Sequence, residues 1–128
     1  MPAPDMKTST TRIGDALICS IAGYVHMDNE QQLRHELRQA LVRRPALLAI
    51  DLHAVDLFTT SALHTLLTAR RAALAAGVPL VLAAPSPQAQ RVLEITQTDT
   101  VFRVFPTLTE ALHKCAPSKP DKSHLAAL

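Results

Sequence analysis

Three consecutive hydroxyl residues, Thr59, Thr60 and Ser61, are the side chains with the clearest potential for chemistry in this sequence. They follow an apolar run, 47–50, and they open a helix-forming run that extends to Ala76. Serine and threonine are favoured at helix N-termini because the side-chain oxygen accepts a free backbone N–H. The same helix end carries partial positive charge and unpaired donors, so it can also hold an anion. A hydroxyl at this position either only caps the helix or caps it and can also be phosphorylated.

A hydrolytic site is the first alternative that the same stretch suggests. Such an enzyme would use Thr60 or Ser61 as its nucleophile. His53 or His64 would then act as the base, and Asp56 would orient it. A nucleophile and its base must lie within about 3 Å of each other, and an N-cap hydroxyl is already bonded to backbone donors. The sequence therefore does not favour this triad.

Metal and cofactor chemistry is the second alternative. The two cysteines, Cys19 and Cys115, are far apart and lack the short spacing typical of zinc ligands. The sequence contains no glycine-rich phosphate loop, no G-x-S-x-G elbow and no H-E-x-x-H motif. The histidines, which do not form a recognisable ligand pattern, are His26, His35, His53, His64, His113 and His124. We therefore predict that the protein is not an enzyme and holds neither a metal nor a cofactor.

Strand and helix patterns alternate along the chain around these hydroxyls. Apolar runs without alternation predict strands buried on both faces, and leucines spaced by three and four residues predict amphipathic helices. Gly77 stands where a helix C-terminus favours glycine, and Thr107 with Glu110 has the spacing of a capping box. The predicted strands are 8–13, 16–22, 46–52, 78–83 and 101–105. The predicted helices run from a cap at Asp28 or Asn29 to 43, from 60 to 76, from 88 to 96, and from a cap at 107 to 115.

The order of these elements predicts a single α/β domain with a mixed sheet and about four helices. A turn at Gly14-Asp15 makes the first two strands a hairpin, and Gly23 ends the second strand. The later strands are expected to be parallel because helical crossovers connect parallel neighbours. Binding sites in such folds collect at the carboxyl ends of the strands. The predicted loop 53–60 lies at that end, which places Thr60 where a partner is expected to bind.

The same periodicities predict which side chains form the core. The helix at 60–76 is expected to bury a stripe that Arg70 interrupts and that includes Leu63, Leu66, Leu67, Ala73 and Leu74. On the preceding helix the stripe is Leu33, Leu37, Ala40 and Leu41. The residues expected to be mostly core are Leu17, Ile21, Leu48, Ile50, Leu63, Leu66, Leu67, Leu80 and Leu82.

Composition limits the class of protein. A chain of 128 residues with 48% hydrophobic residues is long and apolar enough for one folded domain. A formal net charge of +2 and the absence of any large basic cluster predict no nucleic-acid binding. Two distant cysteines, no membrane-length apolar run and no signal peptide predict a cytoplasmic protein that does not insert into membranes. The expected divisions are a flexible lead at 1–7, the domain at 8–116 and a flexible tail at 117–128.

The stretch from Asp51 to Leu63 resembles the signature of the STAS domain of bacterial anti-sigma factor antagonists. That signature is roughly Asp-Leu-x-x-Val-x-Phe-x-Asp-Ser-Ser-Gly-Leu, and its first serine is the residue that the partner kinase phosphorylates. Thr60 falls on that phosphoacceptor position. The sequence departs from the signature at Leu57, Thr59 and Ala62, where the family has Phe, Asp and Gly. The matching residues are Asp51, Leu52, Val55, Ser61 and Leu63. Further similarity lies in Gly23, Asp28, 77–80 and 110–112.

This resemblance implies an anti-sigma factor antagonist that binds an anti-sigma factor serine/threonine kinase and releases the sigma factor. Phosphorylation of Thr60 would then end the binding, with Ser61 and Thr59 as second choices for the acceptor. The docking surface implied by the resemblance consists of Asp28, Asp56, Leu57, Phe58, Thr59, Thr60, Ser61 and His64. Within it, Leu57 and Phe58 are either apolar anchors for the partner or part of the core.

A second function is compatible with the same resemblance. Some STAS domains are constitutive adaptor subunits, for example of a lipid-transport ABC system or a signalling scaffold. Thr59 favours this alternative, because the antagonists usually keep an acid before the acceptor. The sequence is also compatible with a weak homodimer.

Overall fold

The chain begins with an antiparallel hairpin that supplies the first two strands, β1 (Met6–Ile13) and β2 (Ala16–Val25). The turn contains Gly14, whose φ of 60° lies in the left-handed region that glycine enters without strain. The computed structural model describes residues 6–115. Met6, which falls inside the segment 1–7 predicted as a lead, is part of β1, and its side chain is buried. The predicted tail at 117–128 lies outside the described residues.

The remaining elements alternate between helix and strand, as the sequence predicts. The five strands form one sheet in the order β1-β2-β3-β4-β5. β1 and β2 are antiparallel and every later pair is parallel, so the predicted mixed sheet with four helices is confirmed. The further elements are α1 (Glu30–Val42), β3 (Leu47–Phe58), α2 (Thr60–Ala76), β4 (Leu80–Ala83), α3 (Pro87–Ile95), β5 (Arg103–Phe105) and α4 (Leu108–Cys115).

The sheet separates two layers of core. On one face, α1, α2 and α3 pack against side chains such as Leu48 and Ile50. On the other face, α4 packs through Ala111 against Leu47 and Ala49. Alternate residues of β3 thus face opposite layers, which explains why this strand is apolar without alternation. None of the helices within residues 6–115 combines the length and apolar character needed to cross a membrane.

Most of the predicted core is confirmed, with Leu66 fully buried in α2. Leu67 and Leu80 are only partly buried and pack against the edge of the core. Leu74 was expected on the buried stripe, but that prediction is wrong, because its side chain is 64% exposed. Ala73 faces the core, and the next residue lies about 100° further around the helix.

Two helix ends follow their predicted caps. Gly77 has a φ of 73°, and its N–H donates to the carbonyls of Ala73 and Leu74, which ends α2. Thr107 accepts the backbone N–H of Glu110 at 3.0 Å and so caps α4. The Glu110 carboxylate lies 3.1 Å from the Lys114 ammonium group and pairs with it along the helix.

The strand β3 is much longer than predicted. It continues to Phe58, so the predicted loop 53–60 is wrong: most of it is strand and its last residue belongs to α2. The register with β2 shifts twice, so that β3 contains an extra residue near Asp51–Ala54 and another near Val55–Leu57. Each shift is a β-bulge, and a bulge disturbs the two-residue alternation by which strands are recognised in a sequence. β2 is also longer than predicted and continues past Gly23 to Val25.

Candidate functional site

The carboxyl ends of β2 and β3 meet at Thr59. The backbone N–H and the side-chain hydroxyl of Thr59 both donate to the carbonyl of Val25, at 3.3 and 3.1 Å. The same hydroxyl oxygen accepts the N–H of Ala62 at 3.2 Å. Thr59 is therefore the N-cap of α2. The sequence left open which of the three hydroxyls caps this helix, and Thr59 takes that position because it directly follows the extended β3.

Thr60 is the first residue inside α2. Its side chain is exposed, and among residues 6–115 its hydroxyl takes part in no hydrogen bond. The first backbone N–H groups of a helix have no partner within the helix, so an anion attached here would lie beside free donors and the positive end of the helix dipole. Of the three consecutive hydroxyls, Thr60 is the one that combines exposure with an uncommitted oxygen.

Ser61 connects the first turns of α2 and α1. Its hydroxyl donates to one carboxylate oxygen of Glu30 at 2.7 Å. The other carboxylate oxygen of Glu30 lies 2.7 Å from the Arg34 guanidinium. This chain of contacts holds the two helix N-termini together and leaves the Ser61 hydroxyl half-buried and occupied.

The turn that precedes α1 is held by its own capping box. His26 Nδ1 accepts the N–H of Asp28 at 3.2 Å, and Asn29 Oδ1 accepts the N–H of His26 at 2.9 Å. Asn29 also donates to the carbonyl of Tyr24 at 2.8 Å. Asn29 is the N-cap residue of α1, as one of the two residues expected there, but its side chain fixes this turn and makes no cap hydrogen bond to the helix. The Asp28 side chain is left 89% exposed.

The other predicted docking residues divide between surface and core. Asp56 and His64 are exposed and Leu57 is half-buried. His64 follows Thr60 by four residues, so the two side chains share one face of α2. Phe58 is 2% exposed. Of the two roles predicted for it, partner anchor or core residue, it therefore has the core role. Its backbone N–H donates to Gln88 Oε1, which fixes the end of β3 against the start of α3.

Three residues near the hydroxyls were missed by the sequence analysis. Met27 is 72% exposed, and Tyr24, which lies opposite Leu57 in the sheet register, is 38% exposed. Together with Leu57 they add apolar surface at the carboxyl ends of β2 and β3. Glu30 reaches Ser61 from 31 positions away. No local pattern in the sequence marks the pairing of Tyr24 with Leu57 or of Glu30 with Ser61, because both depend on which strands and helices become neighbours.

The hydrolytic alternative is not assembled in this structure. Within residues 6–115, no hydrogen bond joins Thr60 or Ser61 to His53 or His64. His53 contacts Asp51 at 3.2 Å, and Ser61 donates to Glu30. The described residues also contain no group of three or more histidine, cysteine or acidic side chains arranged to hold a metal ion. Cys19 lies in the core, where burial first and the nearby Glu36 second raise the pKa of its thiol to about 11. It is therefore a neutral core residue rather than a reactive nucleophile.

The geometry can be compared with known proteins. None of the curated proteins matches this chain. An anti-sigma factor antagonist from Mycobacterium paratuberculosis has a similar structure, with a TM-score of 0.79, 22% identity, and 87% of this chain and 94% of that chain covered. The anti-sigma factor antagonist SpoIIAA of Bacillus, in its unphosphorylated form, gives a TM-score of 0.72 at 14% identity, covering 84% and 95%. A sulfate transporter family protein from Wolinella succinogenes gives 0.70 at 18% identity, covering 82% and 88%.

At these identities the structural likeness establishes the fold. The family is established separately by a sequence profile, which covers the hairpin, the bulged strand and the helix that begins after Thr59. The profile of the STAS domain matches residues 7–111, and on that match this chain belongs to the STAS domain family.

Proposed function

We propose that this protein is an anti-sigma factor antagonist that binds an anti-sigma factor serine/threonine kinase and is released when that kinase phosphorylates Thr60. The observation that carries the proposal is the different environment of the three adjacent hydroxyls. Thr59 is committed to the helix cap and Ser61 to Glu30. Thr60 is exposed on the first turn of α2, where a kinase can reach its oxygen without breaking an existing contact.

Similar structures support the general class. Several of them are named anti-sigma factor antagonists, and SpoIIAA has been solved in both unphosphorylated and phosphorylated forms. Because their sequence identities to this chain are low, the kinase partner and the phosphorylated residue of this chain are both proposed. The proposed partner is identified by its chemistry, a protein kinase that transfers the γ-phosphoryl group of ATP to a threonine hydroxyl.

The departures from the antagonist signature are physically mild. Thr59 stands in place of an aspartate, and its hydroxyl oxygen accepts the Ala62 N–H, a bond that an aspartate carboxylate also makes at an N-cap. Ala62 stands in place of a glycine, but it lies inside α2 and its side chain is buried. Alanine is the most favourable residue in a helix interior. Both replacements therefore preserve the start of the helix.

Phosphorylation would act by changing charge at the centre of the docking surface. A phosphothreonine carries about −1.5 to −2 charges and three acceptor oxygens at neutral pH. If the partner covers this surface, the dianion must lose its hydration when the complex forms. A penalty of about 4 kcal/mol weakens binding roughly 1000-fold. Release therefore requires no large change in the fold.

The test is to incubate the purified protein with candidate kinases and ATP, followed by intact mass measurement and phosphopeptide mapping. We expect one phosphate, on Thr60. Thr60→Ala should abolish it while still binding the kinase, and Thr60→Asp should weaken binding partially because it carries one charge. Thr109→Ala, at an exposed threonine in the first turn of α4, is the matched control. Phosphate on Thr59 or Ser61 alone would refute the assignment of Thr60.

A constitutive adaptor is the second candidate function. The acid before the acceptor is absent, and one similar structure belongs to a sulfate transporter family protein. In this role the surface around Thr60 would bind a subunit of a lipid-transport ABC system or a signalling scaffold. If all three hydroxyls stay unphosphorylated and the protein co-purifies with a transporter ATPase, this alternative replaces the kinase partner. In either role we propose a cytoplasmic binding protein without catalytic activity.

A further inference from the structure

A groove between α1 and α2 begins beside the hydroxyl site, where its lining residue Arg34 pairs with Glu30, and continues along both helices. We call it the α1–α2 groove, and it encloses about 60 Å³. Its floor is apolar and deep, since Leu37 and Leu41 are 1% and 8% exposed. Its lining residues include Leu37, Leu41, Ala69, Arg34, Arg38 and Thr68. The groove is therefore a narrow apolar slot with polar and cationic walls.

The charge around this groove is one-sided. Two arginines and no acidic residue line it. Arg34 pairs with Glu30, but the exposed Arg38 forms no ion pair within residues 6–115. α2 contains no acidic residue. Arg71 does not line the groove, but it is exposed and follows the lining residue Thr68 by three positions, which places a second exposed cation at the groove's margin. The acidic Glu36 of α1 lies instead near Cys19 on the sheet side.

We propose that the α1–α2 groove is a second docking surface, which binds an acidic segment of a partner protein. One apolar side chain of that segment enters the slot above Leu37 and Leu41. Carboxylates on either side of it meet Arg38 and Arg71. Arginine guanidinium groups pair with carboxylates through two parallel hydrogen bonds, and an apolar anchor surrounded by polar contacts is typical of protein interfaces.

The shape of the groove favours a protein segment over other anionic surfaces. Membrane binding by helices uses protruding apolar side chains that enter the lipid, but here the apolar floor is recessed beneath arginines. Single-stranded nucleic acid binds through aromatic side chains that stack on bases, and neither α1 nor α2 contains Phe, Tyr or Trp. A narrow apolar slot is filled most directly by one protein side chain.

The contacts proposed for the acidic segment lie further along the helices than the site of the proposed phosphorylation. Thr68 and Ala72 follow Thr60 by eight and twelve residues along α2, which corresponds to about 12 and 18 Å at 1.5 Å per residue. A partner seated in the groove therefore makes its main contacts two to three turns from Thr60. The inference holds whichever of the two functions above is correct, and its variants leave the hydroxyl site unchanged.

The experiment pans a phage-displayed library of random 12-residue peptides against the whole protein. Three variants are compared with it: Arg38→Glu with Arg71→Glu to reverse the charge, Ala72→Trp to fill the slot, and Arg91→Glu as a matched control on α3. We expect enriched peptides with Asp or Glu on both sides of one large apolar residue. The best peptide should bind at least 10-fold more weakly to the first two variants, and unchanged to the control. Circular dichroism spectra should show that all variants are folded.

Several results would overturn the proposal. Peptides without acidic residues, equal enrichment on the charge-reversed protein, or equal weakening by Arg91→Glu would show that this groove does not select an acidic segment. Unchanged affinity in Ala72→Trp would mean that no side chain enters the slot. Competition of the peptide by vesicles containing anionic lipid would assign the surface to a membrane. A monomer–dimer shift abolished by Arg38→Glu would assign it to a second copy of the chain.

Discussion

The position of the α2 cap can be tested by comparing two adjacent threonines. Thr59 Oγ accepts from Ala62 and donates to Val25, whereas the exposed Thr60 hydroxyl has no bond within the described residues. Removing an N-cap threonine typically costs about 1 kcal/mol. The Ala62 N–H is left in a buried setting, and an unsatisfied buried donor costs about 1–3 kcal/mol. We therefore expect Thr59→Ala to lower the free energy of unfolding by about 1–2 kcal/mol.

Thr60→Ala should behave differently. Alanine is a better helix former than threonine, and no hydrogen bond is lost, so the change should stay within about 0.5 kcal/mol. For a domain of this length, 1 kcal/mol shifts the melting temperature by roughly 4 °C. The melting temperature of Thr59→Ala should thus be roughly 4–8 °C below that of the parent protein, whereas Thr60→Ala should have the same melting temperature as the parent.

The assay is urea unfolding followed by circular dichroism, with thermal melts as a second measurement. Thr59→Ser serves as the rescue variant, because its hydroxyl can both accept the Ala62 N–H and donate to the Val25 carbonyl. It should recover most of the loss. The reasoning is refuted if Thr60→Ala destabilises the protein as much as Thr59→Ala, since the cap would then lie one residue later.

Three further predictions concern stability and reactivity. Leu66→Ala, at a fully buried position, should lower the free energy of unfolding by about 2–5 kcal/mol. A smaller decrease, measured by urea unfolding, would contradict the placement of Leu66 in the core. Ser61→Ala and Glu30→Ala, which each remove the contact between the two side chains at 2.7 Å, should show a coupling of at least about 0.5 kcal/mol in a double-mutant cycle. Additive effects would mean that the contact does not link the helices. The pKa of the Cys19 thiol is raised from 9.0 to about 11, so the folded state keeps the proton longer than the unfolded state does. The protonated Cys19 thiol therefore contributes fully to the free energy of unfolding below pH 9, and this contribution is lost as the pH rises to about 11. Measured as a function of pH, the unfolding of Cys19→Ala should not show this decrease in stability.

The sequence alone was sufficient for features that depend on neighbours along the chain. The spacing of Leu33, Leu37 and Leu41 predicts the buried face of α1, because a helix brings residues three and four apart onto one side. Gly77 marks the end of α2, since only a residue that accepts positive φ fits there easily. The strand and helix order then requires the parallel sheet. These features gave the fold correctly before any contact was known.

Only the tertiary structure decided features that depend on contacts between distant segments. β3 stays paired with β2 as far as Phe58, through two shifts of register, and Phe58 is buried. This pairing depends on the neighbouring strand and has no marker in the local sequence. The same extension makes Thr59 the cap and leaves Thr60 exposed. Ser61 is occupied by Glu30, which is distant in sequence. The hydroxyl motif is visible in the sequence, but the chemical difference between its three members comes from the segments that pack around it.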